Sequence, residues 1–105
     1  MNPALRNGLR RYAEDQSVWS QQQFGPGRRT VGLTAHIVKE CQEVREDPDD
    51  AREWIDIIIL AIEGFLRHGG KASDLGEMLE DKQRTNFERA WPAAGPETEP
   101  VEHLK

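Results

Sequence analysis

Ile57 to Ile62 is an unbroken apolar run, and from Ile55 to Ile62 a helix built on this segment is apolar on nearly every side. Such a helix has to be covered on nearly every side. The run falls far short of the ~20 residues a membrane span needs. Its bracket is informative: Asp47-Pro48-Asp49-Asp50 precedes it and Gly69-Gly70 follows it. The chain has 105 residues, one domain's worth. Three short partner helices in so small a chain can hardly wrap a central one. A homodimer or a dimer of dimers would supply the missing cover; a well-wrapped central helix in a monomer is the alternative.

The pattern around this segment predicts an all-α four-helix bundle with a tail. The first helix is expected over about Pro3 to Gln22, with Leu5, Leu9, Tyr12 and Trp19 as apolar anchors; Gly8 weakens it. Phe24-Gly25-Pro26-Gly27 then breaks the helical pattern. The second is expected over Val31 to Glu46, where Leu33, Ile37, Cys41 and Val44 recur at helical spacing. The third would run from Pro48 to His68, with Asp47 as N-cap, Pro48 in the first turn and Gly69-Gly70 as the stop. The fourth would run from Asp74 to Ala90, capped by Ser73, with Leu75, Met78, Leu79 and Phe87 facing the core. Trp91-Pro92 ends it. Residues 1–92 are the expected domain, and 93–105, rich in Pro, Glu and Ala, an expected flexible tail.

Two acidic pairs flank the connection between the second and third helices. Glu40 and Glu43 are three residues apart, as are Glu53 and Asp56. Residues three apart share a helical face, and a short connection makes the two helices antiparallel neighbours. The pairs then meet across one groove. Four carboxylates there would repel, and either protonation or a bound cation relieves them. Oxygen ligands without thiolate select Mg²⁺, Mn²⁺ or Ca²⁺. Mg²⁺ commonly combines a few carboxylates with substrate phosphates, which suits a nucleoside polyphosphate. The alternative is four solvated carboxylates. A di-iron bundle is disfavoured, since its Glu-x-x-His signature is missing. His36 shares the Glu40 side of the helix and reads as a packed or surface histidine. His68 reads as a helix C-terminal cap, and Arg28 and Arg29 as solvated loop arginines, with reach to a triphosphate as the alternative.

Composition narrows the classes further. The net charge is −5, a poor match to nucleic acid, whose phosphates need a basic face. The single cysteine, Cys41, excludes an intrachain disulfide and a Cys-based zinc site, and fits a reducing, cytoplasmic setting. Residues Met1 to Leu9 carry no apolar segment of the secretory type.

At this point the chain resembles the all-α NTP pyrophosphohydrolases, the group of MazG, dimeric dUTPase, dCTP pyrophosphatase and phosphoribosyl-ATP pyrophosphohydrolase. The resemblance lies in HIVKECQEV (His36 to Val44), PDDAREWIDIIILAIEGFLRHGG (Pro48 to Gly70) and KQRTNFERAWP (Lys82 to Pro92). It is strongest to the dATP/dGTP diphosphohydrolase branch, which includes the phage MazZ enzymes. Lys39 stands where MazG proper often has a third Glu, which favours that branch.

The resemblance implies hydrolysis of a (d)NTP to the monophosphate and pyrophosphate. Glu40, Glu43, Glu53 and Asp56 would hold two or three Mg²⁺ (or Mn²⁺) ions, and Glu40 or Glu43 would take the proton of the attacking water. Lys82, Asn86 and Arg89 would contact phosphates, while Trp19 and Phe24 would border the base. It also implies a purine substrate, dGTP or GTP first, and a role in supplying dGMP for 2-aminoadenine-containing phage DNA. Two alternatives stay open: another nucleotide (dATP, dUTP or dCTP), and a non-enzymatic helical interaction protein.

Overall fold

A computed structural model describes residues 1–104. They form four α-helices: α1 (Pro3–Phe24), α2 (Thr30–Glu46), α3 (Ala51–Arg67) and α4 (Leu75–Glu88), with a 3₁₀ turn at Ala72–Asp74 before α4. No strand occurs among the described residues, so the chain is an all-α bundle. No helix there is long and apolar enough to cross a membrane.

Each helix starts and stops for local reasons. Asn2 caps α1 through its Oδ1, which accepts the Leu5 N–H at 2.8 Å, and Pro3 occupies the first turn. Gly25, at φ 75°, ends α1. The start of α3 differs from the expected Pro48 start with an Asp47 cap. Asp47–Asp50 closes as a turn instead, with the Asp50 N–H donating to the Asp47 carbonyl at 3.2 Å. Asp50 is then the cap: its Oδ1 accepts the Arg52 N–H at 3.0 Å, and the Arg52 guanidinium pairs with both of its oxygens. At the far end His68 does cap α3, donating from Nδ1 to the Gly64 carbonyl at 2.6 Å. Ser73 is no side-chain cap, because the 3₁₀ turn takes that place.

The long helix α1, about 33 Å at 1.5 Å per residue, organises the packing. Its first half lies against the 3₁₀ turn and α4, where the amino terminus and Arg6 pair with Glu80. Its second half lies against α3, and α2 packs antiparallel on α3. Residues 93–104 have no regular structure, but the Leu104 N–H donates to the Ala90 carbonyl at 2.7 Å and His103 meets Trp91 edge-on.

The expected core needs three corrections. On α1 the buried residues are Ala13, Gln16 and Ser20, while Leu5, Tyr12 and Trp19 are largely exposed and Leu9 is half-buried. The inward face of α1 is therefore small and polar. On α2 the inward set is Leu33, Ile37, Glu40 and Val44; Cys41 is exposed. Spacings of four, three and four residues follow the helical turn better than the stripe through Cys41, and they put Glu40 inside the stripe. On α4 Leu75 is buried, but Met78, Leu79 and Phe87 are exposed.

Candidate active site

The antiparallel α2–α3 pair brings the acids together. Single oxygens of Glu40, Glu43 and Glu53 all lie within 4.8 Å of one another. Asp56 stands one turn further along α3, outside this trio, where it lines the adjoining cleft together with Glu40. Glu40 is buried, and Glu43 and Glu53 are half-buried. One oxygen each of Glu40 and Glu53, Oε2 in both, is buried without a hydrogen-bond donor. Buried polar atoms are ordinarily satisfied, so two orphaned carboxylate oxygens at one spot mark a place for a cation or a proton.

Electrostatics agree with that geometry. The Glu40 carboxyl is pushed above the ordinary range first by the neighbouring Glu43 carboxyl, with which it can hydrogen-bond only when protonated, then by burial and by the charges of Glu43 and Asp56; His36, with Nε2 3.1 Å from Glu40 Oε1, pulls the other way. Glu53 is raised chiefly by burial, with the charges of Glu43, Asp50, Asp56 and Glu40 adding to it. Folding thus disfavours the ionised form of both groups. That cost is complete above the raised values, fades as pH falls through them, and is gone below the ordinary glutamate range. In metal-free protein Glu53→Gln is therefore expected to melt higher than the parent at neutral pH, with the gain vanishing on acidification. Thermal melts in chelator across pH check this; a gain that grows at low pH would contradict it.

Next to the acids is a cleft of about 340 Å³. Asp56 and Glu40 stand at one end. Trp19, Phe24 and Gln16 of α1 and Glu63 of α3 also line it, with Leu33, Ile59 and Leu60 between the helices. Asp56 to Glu63 is two turns of α3, a rise of about 10 Å. The Trp19 and Phe24 rings meet edge to face, with centroids 5.6 Å apart, and both are more than half exposed in the cleft wall, so neither is a core residue. Arg29 also lines the cleft, its guanidinium 5.7 Å from the Phe24 ring. It holds φ 54°, the one positive φ at a non-glycine residue among the described residues, a conformation that clusters at functional sites.

A buried network closes the aromatic end. The Arg67 side chain, 1% exposed, donates from Nε to Glu63 Oε2 (3.2 Å), from Nη2 to Ser20 Oγ (2.8 Å), and from Nη1 to the carbonyls of Gly25 (3.0 Å) and Gly27 (2.8 Å). Ser20 Oγ donates in turn to Glu63. Arg67 therefore holds the glycine loop that follows Phe24 at the end of α1.

The structure thus brings together Glu40, Glu43 and Glu53, and sets Asp56, Trp19 and Phe24 around the same cleft. Lys82, Asn86 and Arg89 do not line it. They sit on or just past α4, beyond the point where Glu80 meets the amino terminus, and Arg89 Nη1 donates to Asn86 Oδ1 at 3.3 Å. Sequence reasoning missed Gln16, Glu63 and Arg67. Glu63 and Arg67, four apart on an otherwise apolar helix, were a usable signal, because charges in such a stripe are buried only when paired. Gln16 carried none.

Residues 10–105 match the family model of the dATP/dGTP pyrophosphohydrolases. The chain belongs to this family. The match spans all four helices from the middle of α1 onward, and so takes in the acidic cluster and the cleft. Membership makes the protein a nucleotide pyrophosphohydrolase, a hydrolase acting on phosphoric anhydrides, and such enzymes are typically metal-dependent, as the acidic trio fits. Neither the curated proteins nor the solved structures contain a match.

Proposed function

We propose that this protein hydrolyses a purine deoxynucleoside triphosphate, dGTP first, to the monophosphate and pyrophosphate. One water is consumed as the bridge between the α- and β-phosphates breaks. The observation that carries this reading is the carboxylate trio with two orphaned buried oxygens, set at the end of a cleft with an aromatic wall.

Glu40, Glu43, Glu53 and Asp56 would hold two or three Mg²⁺ or Mn²⁺ ions. Bound there, the cations would neutralise phosphate charge and ease deprotonation of water. Glu40 or Glu43 accepts the water's proton. Trp19 and Phe24 border the base, since exposed rings in a cleft offer it a face to stack on. Residues 1–92 would form the catalytic domain and 93–105 a flexible acidic, proline-rich tail, with the cytoplasm as the setting. Production of dGMP would suit the synthesis of phage DNA containing 2-aminoadenine.

The site would be completed in a homodimer or a dimer of dimers. A lone chain is thinly packed: among the described residues its buried apolar residues are Ala13, Val44 and Leu75, while Trp54, Ile55 and Ile58 leave about half their surface exposed on α3. Its radius of gyration is 15.8 Å, against about 13 Å for a compact chain of this length. A second copy covering α3 would also carry Lys82, Asn86 and Arg89 toward the phosphates.

The test is a panel of the eight standard (d)NTPs with Mg²⁺ or Mn²⁺ and resolved products. Monophosphate and pyrophosphate from dGTP, less from dATP and little from pyrimidines is the expected result. No turnover by folded, metal-supplied protein would overturn the reading and favour an interaction protein that uses the exposed α3 face.

A further inference from the structure

Gln16 is 8% exposed and lines the aromatic end of the cleft. Its Nε2 donates to the main-chain carbonyl of Ile59 at 2.9 Å. A carbonyl can only accept, so the amide must turn its NH₂ to Ile59, and its orientation is fixed by chemistry. The oxygen is the end left over: Oε1 is buried and has no donor. Glu63 lies one turn beyond Ile59 on α3, in the wall of the same cleft. Its bonds from Ser20 and Arg67 both fall on Oε2, which leaves Oε1 unengaged. This end of the cleft thus offers two acceptors, while one of the two N–H donors of Gln16's amino group is committed to Ile59.

We propose that Gln16 Oε1, with Glu63 beside it, reads the base of the nucleotide. Together they select an edge that presents two adjacent N–H donors, as guanine does with its ring N–H and 2-amino group. Adenine presents one donor beside an acceptor and would set its ring nitrogen against an acceptor. The proposal rests on the nucleotide hydrolysis argued above. It gives the orphaned amide oxygen a partner that arrives with the substrate, which is how a buried polar site rejects a ligand lacking the matching group.

The test compares dGTP with purine 2′-deoxyriboside triphosphate, which has no N–H donor on that edge, in the parent and in Gln16→Met. In the parent, kcat/KM is expected to fall by at least about a hundredfold from the first nucleotide to the second. In Gln16→Met the gap should narrow to within about tenfold, mainly through loss of activity on dGTP. A merely structural Gln16 would lower both rates together and keep their ratio, and that result overturns the proposal. Equal rates for the two nucleotides in the parent overturn it without any variant. If no nucleotide is hydrolysed, the hydrolase reading fails on its own. The same pair is then compared by equilibrium binding, where equal affinity, or no binding, overturns the assignment of Gln16.

Discussion

Glu43→Ala and Asp56→Ala are each expected to lower nucleotide turnover by at least about a hundredfold, the loss that commonly follows removal of a single group aimed at developing charge. Glu43 belongs to the trio of oxygens within 4.8 Å, and Asp56 lies where the trio opens into the cleft. Losing either removes a carboxylate from a site that works by collecting charge. The same loss should relieve repulsion in the metal-free fold, because both charges help to push Glu40 and Glu53 upward. Activity and metal-free stability are thus expected to move in opposite directions, the trade-off of a site that holds like charges together for function. Pyrophosphate release and melting in chelator, measured on the same preparations, check both halves. An active Asp56→Ala protein would sink the assignment, and a variant that lost activity by unfolding would show the wrong sign in the melt.

Arg67→Ala is expected to be the most destabilising single change around the cleft, at about 3–5 kcal/mol, the cost of breaking a buried ion pair from one side. The guanidinium is enclosed and satisfies Glu63, Ser20 and two loop carbonyls. Its loss leaves the Glu63 charge without its cation and the Gly25 and Gly27 carbonyls without their donor, with only the Ser20–Glu63 bond remaining. A domain's whole stability is only about 5–15 kcal/mol, so denaturant melts should show a large shift or outright unfolding. Arg67→Met combined with Glu63→Gln removes the stranded charge and should recover part of the loss. The glycine loop stays unheld in that double variant and Glu63 no longer offers a carboxylate to the base, so its KM for nucleotide should remain high. A loss below about 1 kcal/mol in Arg67→Ala would mean that the network is solvated in solution and does not set the loop.

What the sequence made legible follows from what periodicity can see. The acids of α2 and α3 were readable because both pairs flank one short connection, and spacing alone sets them face to face. The ends of α3 were harder. Asp47 and Asp50 are equally good caps by type, and the choice turned on a tight turn that left the Arg52 N–H facing Asp50. Cys41 was misread as buried because an apolar residue one step off the stripe is tempting, whereas Glu40 took the inward position. The large apolar residues of α1 suggested a core that one chain does not build. Its inward face is Ala13, Gln16 and Ser20, and polar residues are buried there because partners 43 and 47 positions away satisfy them. Such pairings carry no local periodicity, so Gln16 emerges only from the fold, whereas Arg67 leaves a local trace in its i,i+4 spacing from Glu63.

Arg67 grips the loop by its backbone. The carbonyls of Gly25 and Gly27 do the work, and any residue has a carbonyl. Positive φ keeps those two positions glycine, but Pro26 and Arg28 contribute no side-chain atom to the clamp. The loop's anchoring is therefore uncoupled from its chemistry. Substitutions at 26 and 28 leave the clamp's two acceptors in place, so a short tract of sequence stays open to variation beside a site that tolerates very little.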